Sequence, residues 1–442
     1  MRVRFLILLL VIFPFVGSMA QQGNIKFTEY DLPNGLHVIL HQDNTTPIVA
    51  VSILYHVGSK NEVPGRTGFA HFFEHLMFEG SPNIPRGEYF KIVQAAGGEL
   101  NANTSQDRTF YYELLPSNQL GLGLWLESER LLHLRIDSIG VETQRAVVKE
   151  ERKQSYDNRP YGTIIEKTMA DAYKVHPYKW TPIGDPKEVN KATLNEFMDF
   201  HSIYYVPNNA TLSIAGDINI DSTKKLIDKY FSDIPRGTKE IYRPSVVEPQ
   251  KTAEVTDTVY DNIQLPAVIM AYHMPAQGTP DSYALSMLTT LLSDGQSSRM
   301  HKAIVDQQQK ALQVMAFPFA LEDPGLFLIF GIVNMGVKPA ELEKAIDVEI
   351  DKVKTTEIPD AEFQKLQNKV ENDFVTSNST MAGIAENLAN YYVYFKDANL
   401  INTEIERYMK VTPADLQRVA KKYLTPENRV VLTYLPKPTP KN

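Results

Sequence analysis

Cysteine is absent from the 442-residue chain. Disulfides and thiolate metal sites are therefore excluded, and a metal would have to be held by histidine and carboxylate. Excess positive charge is missing as well. Lys and Arg number 45 against 53 Asp and Glu, the net charge is −8, and no basic stripe stands out. Nucleic acid is thus not an expected partner. After the first twenty residues no apolar run is long enough to span a bilayer. No Gly-rich phosphate loop interrupts the strands and helices.

The chain opens on Arg2 and Arg4, an apolar stretch from Phe5 to Val16, and Ser18-Met19-Ala20 before Gln21. This has the order of a secretory signal peptide over residues 1–20. Cleavage is favoured over retention as a membrane anchor, because the apolar run is short for a span. No cysteine follows it, so lipid anchoring at that point is excluded. The expected location is periplasmic or secreted.

At 43% apolar content the remaining sequence supplies a substantial core, and its length exceeds one compact domain. Tyr30 to Gln42 reads as a hairpin turning at Asn34-Gly35, and Ile48 to Val57 as a central strand. Phe69 to Phe78 and Glu88 to Ala96 read as helices, Leu100 to Leu115 as extended chain, and Leu120 to Leu134 and Val141 to Tyr156 as further helices. A polar, Pro-containing stretch over residues 237–252 reads as a linker between an N-terminal lobe, 21–236, and a C-terminal lobe, 253–442. An internal repeat supports two lobes of similar fold. Thr193-x-x-Glu196, Tyr204 and Pro207-x-Asn209 return as Thr412-x-x-Asp415, Tyr423 and Pro426-x-Asn428, each at an offset of 412 − 193 = 219 residues.

The chemistry gathers at His71-Phe-Phe-Glu74-His75, on the first predicted helix. Positions i, i+3 and i+4 share a helical face, so two imidazoles one turn apart reach one ion, with a carboxylate directed at the same space. This inverts the order of the commoner His-Glu-x-x-His motif. The flanking Phe69, Phe72, Phe73, Leu76 and Phe78 mark a largely buried helix, where three polar residues need partners. Zinc catalysis needs about three protein ligands, an open position and a base for water. Glu74 fits the base. For the third ligand, Val147-Val-Lys-Glu150-Glu151 places Glu151 over the two valines and rotates Glu150 aside, yet Lys149-Glu-Glu-Arg-Lys153 also reads as a solvated face. The residues alone leave both glutamates open.

The segment Gly65-Arg-Thr-Gly-Phe-Ala-His-Phe-Phe-Glu-His-Leu-Met-Phe-Glu-Gly-Ser81 resembles the zinc motif of the pitrilysin/insulinase family of inverted zinc metallopeptidases. Gly97-Gly-Glu-Leu-Asn-Ala-Asn-Thr-Ser-Gln-Asp107, His176-Pro-Tyr, Ile183-Gly-Asp, Ala215-Gly-Asp217 and Gly295-Gln-Ser-Ser-Arg299 also fit, so the resemblance covers nearly all of the mature chain. It implies an α+β fold of two homologous lobes, each a mainly antiparallel sheet packed with helices, together forming half of a clamshell. It implies a zinc endopeptidase with His71, His75 and Glu151 as ligands, since the separation 151 − 75 = 76 matches the family, and with Glu150 as the alternative. It places the peptide as an added strand near Asn101 and Ala102.

Two departures from the family pattern stand out. The accessory glutamate expected seven residues before the third ligand is Gln144. An Arg and a Tyr seven residues apart, which in the family steady the developing oxyanion and the substrate backbone, fall at Val305 and Leu312 in the simplest register; neither side chain donates a hydrogen bond. His301 and Lys310 are the nearby donors. The second lobe carries Ser286, Thr289 and Thr290 opposite His71, Glu74 and His75, so one metal site is expected. These features point to a heterodimer, in which a similar two-lobe subunit supplies the Arg/Tyr pair. The competing readings are a non-catalytic structural or binding subunit of a larger complex, and a purely structural zinc; the complete zinc set and Glu74 argue against each.

Overall fold

The computed structural model describes residues 24–438; the signal segment read over residues 1–20 lies outside the described residues. The first half runs β1 (Thr28–Asp31), β2 (His37–Gln42), β3 (Ile48–Tyr55), α1 (Phe69–Leu76), α2 (Tyr89–Ala95), β4 (Glu99–Thr104), β5 (Thr109–Pro116), α3 (Leu120–His133), α4 (Ser138–Arg152), α5 (Ile164–Ala172), α6 (Pro186–Lys191), α7 (Leu194–Tyr204), β6 (Ala210–Gly216) and α8 (Ile220–Phe231). The second runs β7 (Val255–Asp261), β8 (Ala267–His273), α9 (Pro280–Ser293), β9 (Ala311–Phe319), β10 (Leu326–Val333), α10 (Pro339–Thr355), α11 (Asp360–Ser377), α12 (Met381–Phe395), α13 (Leu400–Met409), α14 (Pro413–Tyr423) and β11 (Arg429–Pro436). Residues 237–252 contain neither helix nor strand.

The strands form two sheets, ordered β1-β2-β6-β3-β5-β4 and β7-β11-β8-β10-β9. Apart from β1 the second order repeats the first. In each sheet one pair is parallel, β2 with β6 and β7 with β11, and the others are antiparallel. The expected duplication is visible down to single side chains. Thr193 and Thr412 both close capping boxes. Asn209 donates its amide to the carbonyls of Tyr204 (2.7 Å) and His56 (3.3 Å); Asn428 does the same to Tyr423 (2.8 Å) and His273 (2.9 Å). Each amide fixes the turn that feeds the central strand pair.

Burial explains the strand sequences. The apolar run at Ile48 becomes β3, buried from Val49 to Tyr55, because helices cover both faces of its sheet. One face packs on α1, α3, α7 and α8, and the other receives α12, whose Met381, Ile384, Ala385 and Leu388 meet Ile39, Ala50 and Ala215. Reciprocally, Met169 and Ala172 of α5 pack on Ile269 and Leu432 of the second sheet. Each lobe thus lends the other a helix, an exchange that chain order does not announce. A charge cluster adds to this junction: Lys60, 4% exposed, reaches the buried Asp107 at 3.0 Å and the half-buried Glu322 at 2.7 Å and Asp323 at 3.1 Å. Buried charges persist when paired in this way, and together with the exchanged helices they fix the two sheets against each other.

Candidate metal centre and peptide edge

α1 is placed by its aromatic residues. Phe69 and Phe72 stack on Phe197 of α7 with ring centroids 4.6 and 4.7 Å apart, and Phe73 lies on Phe200 at 5.8 Å. The helix begins at Gly68, whose φ of +90° favours glycine and which brings no capping side chain. The cap comes instead from Glu62, a buried carboxylate that accepts the N–H groups of Gly68 and Ala70, both at 2.9 Å. Burial pushes the Glu62 carboxyl above the usual carboxylate range, and the N–H groups of Ala70, Gly68 and Phe69 pull it back down. Sequence reading missed Glu62; its signal is an acid seven residues ahead of a helix that has no cap of its own.

This seating turns His71 and His75 toward α4. The Nε2 atoms of His71 and His75 lie 3.5 and 3.1 Å from the two carboxylate oxygens of Glu151, and one ligand atom from each of the three residues lies within 4.8 Å of the others. Hydrogen bonds from His71 and His75 hold the Glu151 carboxyl well below the usual carboxylate range. Two atoms each about 2.0–2.1 Å from a tetrahedral zinc lie about 3.3 Å apart, so the two distances to Glu151 bracket the spacing such an ion needs. Two imidazoles and one carboxylate are also a donor set suited to zinc. Nδ1 of His71 is buried and has no hydrogen-bond partner among the described residues.

Glu150 points elsewhere: it is exposed and pairs with Lys153 at 3.4 Å and Gln154 at 3.2 Å. The apolar setting expected for Glu151 is present only in part. Val148 is buried, but Val147 is 44% exposed, so the pair does not define one apolar face. By helical phase both valines, at i−4 and i−3, lie on the side of Glu151, so the exposure of Val147 shows that this side is the margin of the buried face rather than its centre. Gln144 directs its amide to Glu79 at 2.6 Å, and Glu79 pairs with Arg86 at 2.5 Å; none of its hydrogen bonds among the described residues reaches His71, His75 or Glu151.

Glu74, on the same helix face, accepts a hydrogen bond from the Thr104 hydroxyl at 2.6 Å. Thr104 ends β4, which is an edge strand of its sheet and carries Asn101 and Ala102. Asn101 is exposed and Ala102 half-buried, and the Asn101 side chain accepts the Ala102 N–H at 2.9 Å. An edge strand offers backbone groups to an added strand. Val305 packs against the core of the second lobe, and Leu312 stands 53% exposed on β9. His301 lies 3.5 Å from Asp306.

The sequence matches the family model described as Insulinase (Peptidase family M16) over residues 37–186, and that described as Peptidase M16 inactive domain over residues 191–370. A protein named Zinc protease PqqE from Helicobacter pylori is 34% identical over 411 residues, 92% of each chain. A protein named as a probable β subunit of the mitochondrial processing peptidase of Arabidopsis thaliana is 23% identical over 89% of this chain and 75% of its own. Among solved structures, that of a protease from Helicobacter pylori superposes with a TM-score of 0.89 at 33% identity, covering 93% of this chain and all of the other.

Proposed function

Because the chain belongs to the insulinase family of zinc peptidases, peptidase family M16, we propose that it is a zinc-dependent endopeptidase subunit acting on peptides or unfolded segments. The observation that carries this reading is the convergence of His71, His75 and Glu151 from two helices, with Glu74 beside them. Held zinc supplies a Lewis acid that acidifies water and polarises the scissile carbonyl. The chain's own groups do the rest. β4 takes the peptide as an added strand along Asn101 and Ala102. The Glu74 carboxylate accepts a proton from the attacking water and returns it to the departing amine. His71, His75 and Glu151 would hold a divalent zinc at net +1, a charge that would keep it electrophilic.

The alternative reading, a non-catalytic structural or binding subunit, is opposed by the complete zinc set, while Val305 and Leu312 leave the second lobe without the expected donor pair. A partner subunit that brings the pair reconciles this with a complete zinc set. The signal-like first twenty residues support action outside the cytoplasm.

The ligand assignment has a direct test. Glu151→Gln is expected to weaken zinc binding more than Glu150→Gln, because the first removes a charge that faces both imidazoles and the second an exposed one. A zinc-affinity titration reads the order, and the reverse order reassigns the third ligand.

A further inference from the structure

Among the described residues the Glu74 side chain makes one hydrogen bond, and its assigned role does not explain it. Thr104 Oγ1 donates to Glu74 Oε2 at 2.6 Å, and among the described residues no other hydrogen bond reaches this carboxylate. The contact is short, as expected when a hydroxyl donates to an anion. Thr104 is half-buried at the end of β4, on the same strand face as Leu100 and Ala102, both of which pack against the core beneath. A β-branched residue is stiff at χ1, so its hydroxyl is a fixed donor, whereas a free glutamate side chain samples several rotamers. One oxygen of Glu74 is thereby anchored and the other is left to handle a proton.

The anchor belongs to the strand that would receive the peptide, two residues beyond Ala102. We infer that Thr104 is a positioning residue: it holds the general base in register with the edge strand, so that a peptide paired along β4 meets Glu74 at a fixed distance. This rests on the endopeptidase reading given above and adds to it the residue that sets the orientation of the base. A threonine there for strand propensity alone would be replaceable by valine without effect on the reaction.

The test compares Thr104→Val, which keeps the shape and removes the donor, with Thr104→Ser, which keeps the donor, and with Glu74→Gln as reference. Each variant is prepared with zinc and, where activity requires it, with its partner subunit. For Thr104→Val, kcat is expected to fall roughly 10- to 100-fold, the scale of one hydrogen bond to a charged group, with KM nearly unchanged. Thr104→Ser is expected to recover most of the loss. Zinc content stays at the wild-type level in all three variants, and a crystal structure of Thr104→Val shows the Glu74 carboxylate displaced or in more than one rotamer. Near wild-type kcat in Thr104→Val, beside an inactive Glu74→Gln, overturns this inference and leaves the general-base role standing. Loss of zinc from Thr104→Val, or no recovery in Thr104→Ser, overturns it in favour of a purely structural threonine. Activity retained in Glu74→Gln overturns the general-base reading, and the inference with it.

Discussion

Glu74→Gln is expected to leave zinc bound and to abolish turnover. The amide is nearly isosteric with the carboxylate, and Thr104 can still donate to its oxygen, so helix α1 and the His71/His75/Glu151 cluster keep their places. What disappears is the capacity to accept a proton from water. Loss of a positioned general base costs about 10²–10⁴ in rate, and here the same group also delivers the proton to the leaving amine, which puts the expected loss toward the upper end. Peptide hydrolysis measured beside metal content separates this from simple loss of the ion. A variant that holds zinc and cleaves at near the wild-type rate, with its partner present, removes Glu74 from the mechanism.

The second large effect concerns the other half of the site. Val305, half-buried, packs against the second lobe's core and Leu312 is exposed on β9; neither side chain has a donor to offer a tetrahedral intermediate. Removing one oxyanion donor typically costs about 10²–10³ in rate, so a site lacking both should be feeble. The purified chain alone is therefore expected to hydrolyse peptides at least about 10²-fold more slowly than the same chain mixed with a similar two-lobe subunit that carries the Arg/Tyr pair. The gain should saturate at equimolar partner. Full activity from the chain alone contradicts the heterodimer, and His301 and Lys310 then become the donors to mutate.

Much of this arrangement is legible in the sequence because it is local or periodic. The spacing of His71, Glu74 and His75 is a property of one helix turn, and the apolar residues around it say that the helix is buried. The 219-residue offset is an identity of turns and caps, and it returns in space as Asn209 and Asn428 holding equivalent carbonyls. The hairpin at Asn34-Gly35 follows from a left-handed glycine, with φ of +90°. What escapes is carried by long-range packing. Nothing in α5 or α12 states that each covers the sheet of the other lobe; both are simply apolar along one face, and periodicity gives the face without its partner. Val147 and Val148 both flank Glu151 in helical phase, yet only Val148 is buried, because two adjacent valines cannot say where the edge of a helix's buried face falls. Glu62 and Thr104 act on α1 from seven residues before it and from an edge strand thirty residues after Glu74, where a lone acid and a strand threonine have no sequence pattern to set them apart. Gln144 was readable as a departure, but its bond to Glu79 needed the fold.

The central claim is that His71 and His75, with Glu151, hold zinc in this chain. The most direct measurement is the metal content of the purified protein, wild type beside the double variant His71→Ala/His75→Ala, with circular dichroism to show that both are folded. About one zinc ion per chain is expected in the wild type and none in the variant. A folded wild-type chain that takes up no zinc, or a variant that retains it, contradicts the account.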